Sequence, residues 1–198
     1  MFALVIAVTL ILAFAALMLV VQPYSQLSRV EPDPGSAPYT VEQARGRDQY
    51  VSLGCVYCHT QQPRDRDFGT DDERGWGRVS TPADYQWDYP HQLGTMRTGP
   101  DLFNIGARQS SEDWHLTHLY QPRAVSPGSI MPAFPFLFEV KDEAGEDDVV
   151  VQVPPAYAPA IGVVVAKPEA LDLVAYLISL DHTYPSAWLE TEEAADEQ

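Results

Sequence analysis

Residues 2–21 (FALVIAVTLILAFAALMLVV) carry no charge, and Thr9 is their single polar side chain. Twenty residues of α-helix span about 30 Å, the thickness of a bilayer's hydrocarbon core. A helix satisfies its own backbone hydrogen bonds there. The run therefore reads as one transmembrane helix. A cleaved signal peptide would show basic residues first, a shorter apolar stretch and a small-x-small cleavage site. No Lys or Arg precedes this run, and its end (LMLVVQPYSQ) has no small-residue pair. A soluble core helix would show a polar stripe. We assign residues 1–22 to an anchor and residues 23–39, with Pro23, Pro32, Pro34 and Pro38, to an extended spacer.

The remainder is long enough for one domain, over residues 40–184. With 45% of the chain's 198 residues apolar, a core can form. The net charge is −16 and only Lys141 and Lys167 are lysines. Such a surface repels nucleic acid and suits a basic protein partner. The acid is blocked rather than spread. Residues 139–148 hold six carboxylates and the tail, 185–198, holds five more. Both blocks are expected to be solvated.

Thr40 with Gln43 makes a capping box, so a helix is expected from Val41 to Leu53, stopped by Gly54. Directly after it comes Cys55-Val56-Tyr57-Cys58-His59. Two cysteines are too few for a disulfide framework, but C-x-x-C-H is the attachment pattern of c-type haem. Each thiol can form a thioether to one haem vinyl group, and the adjacent histidine is held beneath the iron. A thioredoxin-like pair would follow a strand in a βαβ unit, and a zinc site would need further ligands. Neither context is present.

The second axial ligand has several candidates: Met96, Met131, His91, His115, His118 and His182. His115 and His118 fall on a helix expected from Ser111 to Tyr120 and read as helix-face residues. Met131 sits in a loop, Ser129-Ile130-Met131-Pro132, between proline-rich stretches, where a thioether can be aimed at a metal. A core gap-filler is the plain alternative. Met96, in Gly94-Thr95-Met96-Arg97, is its main rival.

The stretches Gly46 to Tyr50, Gly54 to Gln61, Arg97 to Leu102, Trp114 to Leu119, Pro122-Arg123 and Pro127 to Pro132 together resemble the mono-haem cytochrome c subunit (subunit II) of cbb3-type haem-copper oxidases. The likeness covers residues 39–137 and a closing helix near 168–181. It implies a mainly α chain: one transmembrane helix plus a class I cytochrome c domain. It implies one covalently bound haem c, with Cys55 and Cys58 as the thioether cysteines, His59 as proximal and Met131 as distal iron ligand. Pro100 would accept the hydrogen bond from His59 Nδ1–H. Arg97 stands as a candidate partner for a haem propionate, against a surface salt bridge.

The resemblance also implies a non-catalytic role. Electrons would come from a dihaem cytochrome c subunit or a soluble cytochrome c donor. They would pass to the b-type haem of a haem-copper catalytic subunit that reduces oxygen to water. The three arginines after the anchor (Arg29, Arg45, Arg47) would weakly favour a cytoplasmic domain. Haem c attachment overrules them and points to the periplasmic face of a bacterial inner membrane. The cytochrome subunit of a nitric oxide reductase, a free-standing membrane-tethered shuttle and a haem-based sensor are the alternative functions.

Two segments depart from the resemblance. Residues 64–78 (RDRDFGTDDERGWGR) differ from the expected pattern. Residues 138–167 form an acidic insertion, in which Val149–Val151 and Val163–Val165 are expected to pair as a small β-hairpin. The closing helix should begin near Pro168 and bury Leu171, Val174, Ala175 and Ile178, widened by Tyr176, Leu177 and Leu180.

Overall fold

The computed structural model describes residues 1–190; residues 191–198, most of the acidic tail, lie outside the described residues. Helix α1 runs over Phe2–Leu27, is long and apolar enough to cross a membrane, and has an exposed apolar surface. It does not stop where the proline spacer was expected to begin. A π turn at Leu17–Val21 precedes Pro23. The proline ring would clash with the carbonyl four residues back, at Leu19, and that carbonyl lies within the wider turn.

The spacer after α1 is not free either. Asp33 is buried; its Oδ1 accepts from the Ala187 amide at 2.9 Å, and its Oδ2 lies 4.0 Å from Arg78 Nη2. Trp87 Nε1 donates to Ser36 Oγ at 3.3 Å. Residues 33–36 are thus docked between residues 78–88 and the C-terminal segment.

Helix α2 (Val41–Ser52) starts on the expected capping box: Gln43 N donates to Thr40 Oγ1 at 3.2 Å and Thr40 N to Gln43 Oε1 at 2.9 Å. It crosses α5 (Pro168–Ser179) at backbone contact, since a Cβ on Gly46 would lie 1.8 Å from Asp172 O. Arg45 forks onto Asp172 at 2.6 and 2.7 Å beside the crossing, and Tyr50 stacks at a tilt on Tyr176 within it. The single turn α3 (Ile105–Arg108) and α4 (Glu112–Tyr120, capped by Ser111) pack on α5.

The buried face of α5 is not quite the expected one. Ala170, Leu173, Val174, Tyr176 and Leu177 are buried, whereas Leu171, Ala175 and Ile178 are only half-buried. Periodicity gave the helix, but Gly46 fixes which side faces α2, and that rotates the stripe.

The chain is mainly helical with one small antiparallel sheet, β1 (Phe138–Lys141) on β2 (Val163–Ala166), in register Phe138 to Ala166 and Lys141 to Val163. The valine-run pairing expected from sequence is reduced to one bridge, Val150 to Val165, with Val151 N donating to Val164 O. The main partner of β2 is β1. Phe138 is buried there and packs its ring on Tyr120. Lys141 closes the acidic turn by forking onto Asp148.

Candidate haem site

After α2 the backbone turns at Gly54 (φ 74°) into a short helical turn, Cys55–Tyr57. The amides of Cys58 and His59 both donate to Cys55 O, at 3.1 and 3.0 Å. This folds the pentapeptide so that Cys55, Cys58 and His59 line one cavity. The cysteines are not bonded to each other. Burial pushes the Cys55 thiol up to about 11.

His59 is gripped by the segment 97–103. Gly99 N donates to Cys58 O at 2.8 Å and Leu102 N to Thr60 O at 2.7 Å, on either side of the histidine in sequence. His59 Nδ1 lies 2.7 Å from Pro100 O. Gly99 runs against the ring itself: a Cβ there would lie 2.3 Å from His59 Cε1. Burial lowers the imidazole pKa and outweighs the Pro100 bond and the Asp101 charge, so the ring is neutral. With Nδ1 engaged, Nε2 is the nitrogen left to bind a metal.

The cavity measures about 640 Å³, within the range of cofactor sites. Leu102, Ile105, Leu119, Phe134, Leu173 and Leu177 supply apolar lining. Met131 lines it too, half-buried, on a loop tied down by the Phe134 N–H to Leu119 O bond of 2.9 Å. Met96 is 59% exposed and is not part of the lining. His91 is exposed, and His182 stacks on Phe103 with ring centroids 3.8 Å apart.

Arg97 is not among the lining residues. Its guanidinium grips Asp71 at 2.6 and 2.7 Å instead. Besides His59, the basic groups on the cavity are Arg108 and two histidines of α4, His115 and His118. Arg108 donates through Nη2 to Asp101 O, while its buried Nε has no partner. His118 stacks on Trp114 at 4.6 Å, and its buried Nδ1 also has no partner. Burial, with His115 and His59 nearby, pushes the His118 pKa down to about 4. His115, by contrast, is held at 2.8 Å from Gln109 O. Sequence reasoning missed Arg108 and took His118 for a helix-face residue. The available signal was the spacing of Trp114 and His118, four apart and so on one helix face.

The profile of the family described as cytochrome c oxidase, mono-heme subunit/FixO matches residues 1–154. The chain belongs to that family. A comparison with curated proteins gave no match. The match spans the anchor, the Cys55–His59 peptide, Met131 and half of the insertion, and stops before α5. A FixO-family chain is a mono-haem subunit of cytochrome c oxidase, an electron-transfer component of an oxidoreductase complex.

The residues present fit one haem. The lining is largely apolar, as a group of that kind requires. The unpartnered buried atoms Arg108 Nε and His118 Nδ1 belong to residues that line the cavity, and a polar group of a ligand there would satisfy them.

Proposed function

We propose that this chain is the subunit that relays electrons into the haem-copper catalytic subunit of a cbb3-type oxidase, which reduces oxygen to water, from a class I cytochrome c domain held on the periplasmic face of a bacterial inner membrane. The observation that carries the reading is one cavity lined by Cys55, Cys58, His59 and Met131 in a chain of the mono-heme subunit family. A dihaem cytochrome c subunit or a soluble cytochrome c is the electron donor.

When bound, the haem would supply a one-electron Fe(III)/Fe(II) couple, and a methionine thioether among its ligands would favour the reduced form. Cys55 and Cys58 would hold it covalently, His59 and Met131 would ligate its iron, and Pro100 would orient the His59 ring. Arg108 and His118 would receive the propionates, in place of Arg97. The apolar lining excludes water, which limits the reorganisation that accompanies a change of charge. None of these residues makes or breaks a substrate bond, so the subunit is non-catalytic.

The test is a reduced-minus-oxidised absorption spectrum of the complex drawn from native membranes by a tag on this chain. The reading expects b-type haem beside c-type haem, with oxygen consumption. Only c-type haem, at one per chain, would sink the oxidase placement.

A further inference from the structure

Arg97 and Asp71 form a bidentate, largely buried ion pair outside the cavity. Asp71 is 3% exposed at its side chain and Arg97 is 19% exposed. Arg97 Nη1 and Nη2 donate to the two Asp71 oxygens at 2.7 and 2.6 Å, and Trp76 lies under the guanidinium, 5.1 Å from ring centroid to Cζ. Asp71 also accepts from the Arg64 amide at 2.7 Å. The segment 64–78, which departs from the resemblance, is thus closed around this pair.

The other edge of the guanidinium faces the chain just after His59. Arg97 Nε donates to Thr60 Oγ1 at 3.0 Å, and Nη2 to Gln62 O at 2.8 Å. Thr60 Oγ1 in turn donates to Asp101 Oδ2 at 2.5 Å, and that oxygen also accepts from Gln62 N at 2.8 Å. Thr60 follows His59, and Asp101 follows Pro100. The network therefore clamps together the two backbone segments whose relative placement sets the His59 Nδ1 to Pro100 O distance.

We propose that Arg97 is a positioning residue for the haem, acting through Thr60 and Asp101 on the His59–Pro100 hydrogen bond, and that the segment 64–78 exists to hold it there by way of Asp71. The proposal rests on His59 being the proximal ligand. A lysine cannot replace the arginine, because it lacks the planar fork that meets Asp71, Thr60 and Gln62 at once. Loosening the network lengthens the Nδ1–H···O bond, makes the imidazole a poorer donor, and favours Fe(II) over Fe(III).

The experiment is a spectroelectrochemical titration of the c-type haem in the purified membrane complex, for wild type, Arg97→Lys, Asp71→Asn, the double variant of these two, and Arg97→Gln as a charge control. The expected result is a raised reduction potential in both single variants, towards a tenfold shift in the Fe(II)/Fe(III) ratio, which is about 59 mV for one electron. The double variant should shift no further than the larger single one, since the two residues act as one unit. A potential unchanged in Arg97→Lys but shifted in Arg97→Gln would show that only the charge acts, and would overturn the proposal. Unshifted potentials with a lower melting temperature would reduce the network to a structural role and overturn it equally. Failure of the underlying ligand reading is separable: a wild-type complex whose chain shows no covalent haem by in-gel haem staining would reveal it before any variant is compared.

Discussion

His59 and Gly99 touch so closely that hydrogen is the only side chain position 99 can carry: a Cβ there would lie 2.3 Å from the imidazole Cε1. The glycine lets the chain pass flat against the ring and present the next carbonyl, of Pro100, to Nδ1 at 2.7 Å. Gly99→Ala should therefore displace the ring rather than merely crowd it. We expect the variant to accumulate with a large loss of covalent haem, read by haem staining against the amount of chain. Normal haem content would mean that the ring relaxes without consequence.

Met131→Ala should abolish the far-red methionine–iron charge-transfer band of the oxidised subunit and open its haem to carbon monoxide. Met96→Ala should do neither, since Met96 is 59% exposed and off the cavity. Survival of the band in the Met131 variant would move the ligand role elsewhere.

Arg108→Gln should lower the reduction potential, because a half-buried cation that favours the reduced, less positive iron is removed. Arg108→Lys should retain part of the effect. The same titration checks both, and an unchanged potential in Arg108→Gln would argue against a propionate contact.

Gly46→Ala tests the crossing of α2 and α5. The added methyl would sit 1.8 Å from Asp172 O, so the helices must separate. Overpacking of this kind costs about 1–3 kcal/mol. Since Leu173 and Leu177 of α5 line the cavity, a thermal melt followed at the haem absorbance should fall by several degrees. An unmoved melt would contradict the close contact.

Acid should weaken the domain through Asp84. Burial pushes its carboxyl up, but the Arg78 fork and the Thr81 amide outweigh that and hold it below the usual carboxylate range. A lowered folded pKa means stability that is present above the unfolded value of 3.8 and lost as pH falls towards the folded one. Asp84→Ala should cost roughly 3–5 kcal/mol at neutral pH, the range for breaking a buried pair. The gap to wild type should shrink below about pH 4. A gap that stays constant with pH would show that packing, not charge, is lost.

How much could be read from the sequence depended on how local each feature is. The apolar N-terminal helix, the capping box at Thr40 and the turn at the pentapeptide are continuous patterns and were legible, although the first helix runs on to Leu27, past the expected start of the spacer. Other features depend on pairings between distant segments. The Asp71–Arg97 pair joins residues 26 apart, and nothing in RDRDFGTDDERGWGR marks Asp71 as the acid that is buried. The sheet partner of β2 went unseen because Phe138-Glu139-Val140-Lys141 was read as acidic loop. Its alternation, with Phe138 buried against Tyr120, is a strand pattern. Arg108 and His118 look like ordinary basic residues in sequence. Their missing hydrogen-bond partners emerge only when α3 and α4 are laid against the cavity.

The docking of Asp33 sets the mechanical character of the whole molecule. Helix α1 ends at Leu27, and Asp33 is already pinned by Ala187 and Arg78. Only residues 28–32 are left between them, a reach of roughly 20 Å at full extension. The electron carrier is therefore a short bracket on the membrane, not a ball on a chain. Under the proposed function, it cannot roam far from the bilayer to find a partner. Under that reading, donor and acceptor alike must meet a carrier tethered within roughly 20 Å of where α1 ends.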